Sequence, residues 1–156
     1  MSDYISEMRK LIEHRPLMCT ACGVIIENEN NEILLQKRAD NGYWGIPGGS
    51  MNIGETFLET AQREVFEETG LSVYDLKLFG IYSGKDCIIE YPNKDVCCVT
   101  AIIFITSSFK GELLQITDET KENKFFDKTN LPLNINAFDK KYIEQWKNGA
   151  THIFIS

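Results

Sequence analysis

The chain has 156 residues, 43% hydrophobic and 25% charged, with a formal net charge of −7. That length and balance suit a single soluble domain over residues 1–156 with a buried core. The acidic surplus excludes nucleic-acid binding driven by a basic surface, and the longest apolar run, around residues 96–105, is too short to span a bilayer. Residues 2–14 carry Tyr4, Ile5, Met8, Leu11 and Ile12 at helical spacing. Arg15-Pro16 ends that helix, because the residue before proline avoids the helical region. Residues 17–27 and 32–38 read as two strands around the turn Asn28-Glu29-Asn30-Asn31. Residues 43–46 form a short extended piece that Pro47-Gly48-Gly49 breaks. Residues 55–69 read as a helix with the apolar stripe Phe57, Leu58, Ala61 and Val65, and Gly70 as its C-cap. Residues 72–82 are strand-like, and 87–90 with 96–107 read as a hairpin around Tyr91-Pro92-Asn93-Lys94-Asp95. A strand over 123–126 and a helix over 136–148, with Phe138, Tyr142, Ile143 and Trp146 on one side, close the chain. Strands and helices do not alternate strictly. An α/β (α+β) arrangement follows, with a mixed sheet and helices packed on both faces.

No apolar stretch at the start resembles a signal peptide, so the expected compartment is the cytoplasm. The odd count of five cysteines reads as free thiols. Cys19 and Cys22 form a C-x-x-C, but residues three apart on a strand face opposite sides and cannot share a metal. A structural role for both is the better reading.

Residues 49–71, GSMNIGETFLETAQREVFEETGL, carry the chemistry. Glu64, Glu67 and Glu68 lie at i, i+3 and i+4, within an arc about 100° wide on a helix. Like charges at that spacing destabilise a helix by a few tenths of a kcal/mol per pair, so a cluster this tight makes sense with a cation on it. A set of carboxylates without thiol or imidazole suits Mg²⁺ or Mn²⁺ rather than Zn²⁺ or copper. Such an ion can polarise a phosphoryl oxygen and orient a water, which points to hydrolysis of a phosphoanhydride.

Written as a pattern, the segment is G-x5-E-x7-R-E-U-x-E-E-x-G-U, where U is aliphatic. Gly49, Glu55, Arg63, Glu64, Val65, Glu67, Glu68, Gly70 and Leu71 match it. It resembles the signature of the Nudix (MutT-like) hydrolase family at every defining position, and Trp44-Gly45-Ile46-Pro47-Gly48-Gly49 resembles the family's lead-in. The resemblance implies a Nudix-type α/β/α sandwich, with the helix at 2–14 as an extension. It implies Glu64, Glu67 and Glu68 as metal ligands, completed by a backbone carbonyl at the glycine turn, Gly48 ahead of Gly49. Glycine permits such close backbone approach. Arg63 is expected to orient the acids, and Glu55 either to pair with Arg63 or to hold a metal-bound water. The general base is either a box glutamate or a later acid. Glu119, in the polar loop before Phe125-Phe126, is the distal candidate, while Glu122 reads as solvated.

The implied substrate is a small molecule, a nucleoside diphosphate linked to another group. Subfamilies resembling ADP-ribose or dinucleoside polyphosphate hydrolases carry a proline or tyrosine 16 to 18 residues past the box glycine. Asp86-Cys87-Ile88 stands there and has neither. A rival reading is a Nudix-fold module that binds a nucleotide such as ADP-ribose without hydrolysing it. Such modules lose box acids or add a DNA-binding domain, and this chain keeps every acid. Tyr43 and Trp44 could stack on a base, with a core role for Trp44 equally open. Lys37 and Arg38 could meet phosphate or remain on the surface. The helix at 2–14 and Ile153-Phe154-Ile155 either pack on their own domain or form a homodimer contact.

Overall fold

The computed structural model describes residues 3–156. Helix α1 (Tyr4–Ile12) starts on Asp3, whose side chain accepts from the Ser6 N–H. Residue 2, where the expected helix began, lies outside the described residues. Strands β1 (Leu17–Ile26), β2 (Ile33–Arg38), β3 (Trp44–Gly45) and β4 (Gly48–Ser50) lead to helix α2 (Phe57–Thr69). Then come β5 (Ser72–Tyr74), β6 (Lys77–Tyr82), a 3-10 turn at Lys85–Cys87, β7 (Ile88–Glu90), β8 (Val96–Thr106), β9 (Ser108–Lys110) and β10 (Thr120–Phe126). Helix α3 (Ala137–Lys147) and β11 (Phe154–Ile155) end the chain. Among the described residues no helix is long and apolar enough to cross a membrane.

The main sheet runs β11-β6-β8-β1-β4, with β7 also paired to β8. β1 and β8 are parallel from Leu17–Cys97 to Ile26–Thr106, while β4, β6 and β7 join antiparallel. The side-chain period of two along β1 divides the core. Cys22, Val24 and Ile26, with Ile102 and Phe104 of β8, pack with Ala61 and Val65 of α2. Ile25, with Val99, Ala101 and Ile103, packs with Tyr142, Ile143 and Trp146 of α3. Each fully buried aliphatic such as Val65 or Ile143 stabilises the fold by about 1.5–3 kcal/mol. Helices therefore cover both faces of a mixed sheet in an α/β/α sandwich, and β1 is buried on both faces over residues 22–26, while Met18 nearer its start is exposed.

Several local expectations are corrected. β1 and β2 flank the turn at residues 28–31 as expected, but form no ladder with each other. They meet only at the bridge Glu27–Ile33, and β2 leaves to form a second sheet, β10-β2-β3. The single strand expected at 72–82 is split by Asp75, whose φ of 49° turns the chain. β10 starts at Thr120, three residues before the expected strand. Phe57 and Leu58 are about half exposed, and the buried positions of α2 are Thr60, Ala61, Val65, Glu68 and Thr69. Helix α1 buries no residue. Arg9 holds it instead, donating to the Val96 carbonyl at 2.7 Å and facing Asp95. His14 also turns to Asp95, 2.8 Å away. Phe154 packs within its own chain, its ring 5.7 Å from that of Phe79.

Cys19 faces the α3 side and Cys22 the α2 side. Burial pushes both thiols up to about 12, so neither is a poised nucleophile.

Candidate active site

Helix α2 is set at both ends. Thr56 and Glu59 form a capping box, with Glu59 N–H donating to Thr56 Oγ1 at 3.2 Å and Thr56 N–H donating to Glu59 Oε2 at 2.8 Å. Gly70 closes the other end at φ 75°, a left-handed conformation that favours glycine. With Ala61 and Val65 buried against β1, the face bearing Glu64 and Glu68 turns toward β4.

The register of β4 decides which backbone groups meet those acids. Val24 N–H donates to the Pro47 carbonyl and Met51 N–H to the Thr20 carbonyl. By antiparallel alternation Gly49 is then the hydrogen-bonded partner of Cys22, and Gly48 the non-bonded partner of Gly23. Both backbone groups of Gly48 thus point away from β1, and its N–H reaches Glu68 Oε2 at 2.8 Å. A Cβ on Gly48 would lie 2.5 Å from the Cys22 carbonyl oxygen, so only glycine allows this approach. A Cβ on Gly49 would collide with the carboxylate of Glu64.

Arg63 organises the acids. Its Nε donates to Glu55 at 2.5 Å and Nη2 to Glu55 at 2.9 Å. Nη1 donates to Glu64 at 2.6 Å and to Glu67 at 3.2 Å, and Nη2 also reaches the Ser50 carbonyl at 3.0 Å. This uses the guanidinium as a fork, a geometry lysine lacks. The Arg63 bonds, with the Asn52 N–H and the Thr60 hydroxyl, hold the Glu55 carboxyl down to about 2. The same contacts raise Arg63 further above its ordinary value.

Glu64 and Glu68 shift the other way. Burial raises Glu64, with Arg63 opposing and the charges of Glu67 and Glu119 adding. Burial pushes Glu68, 4% exposed, up to about 8, with the Glu64 and Glu119 charges adding. Glu68 Oε2 accepts from Gly48 N–H and from Gln36 Nε2 at 2.7 Å. Among the described residues no ion pair reaches Glu68. Glu67 is largely exposed. Glu119 is exposed on the turn before β10, where its charge acts on both Glu64 and Glu68.

Among the described residues no three acidic, histidine or thiol side chains stand gathered into a cage. Arg63 Nη1 lies between Glu64 and Glu67, offsetting their like charges. The donors nonetheless fit a hard cation. They are all oxygens, one carboxylate is buried without a counter-charge, and another rests in the space that Gly49 leaves by lacking a Cβ. Glu64, Glu67, Glu68 and the Gly48 carbonyl are the groups that could hold Mg²⁺ or Mn²⁺.

Some residues take other places. Trp44 is core, its ring edge-on to Phe126 at 4.9 Å, which leaves Tyr43 as the exposed aromatic. Arg38 is occupied by a bidentate pair with Asp40. Sequence reasoning passed over Gln36 and Asp139. Gln36 is a polar residue inside the apolar run Ile33-Leu34-Leu35, which was the available signal. Asp139 is buried on α3. Its carboxylate accepts from the Ile46 N–H at 3.0 Å, Asn136 Nδ2 at 2.9 Å and the Tyr142 hydroxyl at 2.5 Å. It thereby fixes the lead-in to the glycine turn, and burial pushes it up to about 6.

The family model described as NUDIX domain matches residues 18–146. The chain is 40% identical to the ADP-ribose pyrophosphatase of Methanocaldococcus jannaschii, over 95% of this chain and 87% of that protein. The crystal structure of a mutator MutT protein from Bacillus halodurans superposes with TM-score 0.70 at 30% identity, covering 84% of this chain and 83% of that one. A MutT NUDIX hydrolase from Burkholderia pseudomallei gives TM-score 0.70 at 25% identity, covering 83% and 98%. With the family model spanning most of the chain and each box position filled, this protein belongs to the Nudix hydrolase family.

Proposed function

We propose that the chain is a divalent-metal-dependent hydrolase that cleaves a phosphoanhydride bond in a nucleoside diphosphate linked to a further moiety. The observation that carries this reading is the buried Glu68, without an ion pair among the described residues, set beside Glu64 and the backbone of Gly48. Glu64, Glu67, Glu68 and the Gly48 carbonyl would hold Mg²⁺ or Mn²⁺. When bound, the ion supplies charge stabilisation at a phosphoryl oxygen and acidifies a water.

The chain's own residues do the rest. Arg63 keeps Glu64 and Glu67 in place, and Glu55 fixes Arg63 by two hydrogen bonds. Glu119 is the candidate general base, taking the proton of the attacking water, and its exposure leaves it free to approach substrate. The substrate is a small molecule and the compartment the cytoplasm. ADP-ribose is the first derivative to offer, because a relative matched along 95% of the chain is named for it. The missing proline at residues 86–88 argues the other way, so nucleotide sugars, dinucleoside polyphosphates and nucleoside triphosphates belong in the same panel. The test is that panel with Mg²⁺ or Mn²⁺, products identified by mass. Turnover that needs the metal and splits the diphosphate bridge supports the reading. Metal-independent turnover, or binding of ADP-ribose with no turnover, contradicts it and favours a binding module.

A further inference from the structure

We propose that Gln36 is a positioning residue for Glu68, itself set by Thr120, and that this relay decides which carboxylate oxygen is left for the cation. The proposal rests on the metal-dependent reading above. Gln36 is 2% exposed, and Thr120 is fully buried. The Thr120 hydroxyl donates to Gln36 Oε1 at 2.6 Å, and Gln36 Nε2 donates to Glu68 Oε2 at 2.7 Å. An amide has one accepting and one donating end. With its oxygen taken by Thr120, the end that faces Glu68 is the NH₂. The reversed amide would set its oxygen against a carboxylate.

Glu68 Oε2 also accepts from Gly48 N–H at 2.8 Å, so two donors satisfy that one oxygen. Oε1 receives no hydrogen bond from the described residues and is the oxygen free to coordinate. The same sheet fixes the backbone beneath it, since Asn123 Nδ2 donates to the Glu68 carbonyl at 2.9 Å.

Thr120 does more than orient an amide. It sits at the irregularity in the β10–β2 register, where pairing shifts between Thr120 and Glu122. Its N–H and that of Glu119 both donate to Thr117 Oγ1, at 3.1 and 3.3 Å. The turn that carries Glu119 is therefore joined to the side chain of Glu68 through Thr120 and Gln36. Gln36 touches no substrate and acts only through Glu68. Partners that orient a ligand in this way are worth about 10–100-fold in metal affinity.

The test measures Mn²⁺ affinity of the full chain by paramagnetic resonance of free Mn²⁺, without substrate, for wild type and Gln36→Met, Thr120→Val and Thr120→Ser. Wild type should bind. Gln36→Met should weaken binding about 10-fold or more, Thr120→Val should weaken it less, and Thr120→Ser should restore it. Wild-type protein that binds no Mn²⁺ would overturn the proposed function itself. Wild-type binding with Gln36→Met unchanged would overturn only the relay. If Gln36→Met does not fold, equal affinities for Thr120→Val and Thr120→Ser would overturn it instead.

Discussion

Two buried carboxylates hold the two ends of the segment Ile46–Gly48, Asp139 at the Ile46 N–H and Glu68 at the Gly48 N–H, and they are satisfied differently. Asp139 receives three hydrogen bonds, shared over both its oxygens. Glu68 receives two, both on one oxygen, with the charges of Glu64 and Glu119 nearby. The first is complete within the protein and holds the lead-in in place. The second is half complete, the arrangement that the proposed function expects of a group whose remaining partner is a cation. The contrast separates a carboxylate satisfied within the fold from one proposed to serve the chemistry, a distinction that burial alone does not make.

Substitutions at the two sites should part the readouts. Glu68→Gln should cut metal-dependent turnover by about 10³-fold or more. Its amide oxygen can accept from Gly48 and Gln36, which sets the NH₂ toward the cation. The metal-free protein should melt no lower than wild type, because a buried ionisable group has been removed. Unchanged turnover would remove Glu68 from the metal site. Asp139→Leu should do the reverse, lowering stability by about 2–4 kcal/mol through three orphaned donors, read from a denaturant titration.

The pH dependence sharpens the same contrast. A carboxyl raised in the folded state supports folding at low pH and loses that support as pH rises through its folded value. For Glu68 the window runs from its ordinary 4.5 to about 8, and for Asp139 from 3.8 to about 6. Glu64 shifts in the same direction. Glu55 runs oppositely, its contribution lost only as pH falls from 4.5 to about 2. The metal-free protein should therefore lose thermal stability from about pH 5 to about pH 8. Mg²⁺ should raise the melting temperature more at the upper end, where no proton competes for Glu68. An equal Mg²⁺ effect at both ends would detach the ion from Glu68. The smallest effect belongs to Cys19→Ser, which should leave metal-dependent turnover unchanged, since Cys19 lies on the α3 side of the sheet. Lost turnover with the fold intact would reopen a thiol mechanism.

The box acids and the fold class were legible because both depend on local spacing. The positions of Glu64, Glu67 and Glu68 on α2 follow from helical geometry, and the mixed sheet with helices on both faces from the order of strands and helices along the chain. What escaped depends on contacts distant in the chain. Asp139 meets Ile46 across 93 residues and Thr120 meets Gln36 across 84, and no local period encodes either. The separation of β1 from β2 was hidden for a similar reason, since the partner that takes each strand lies far along the sequence. Phe57 and Leu58 misled because the buried face of α2 includes Thr60 and Glu68, which an apolar stripe does not count.

The most direct measurement is anomalous diffraction from crystals grown with Mn²⁺. A peak is expected at coordinating distance, about 2.0–2.3 Å, from Glu68 Oε1, with Glu64 and the Gly48 carbonyl around it. Ordered carboxylates with no peak among them at saturating Mn²⁺ would contradict it.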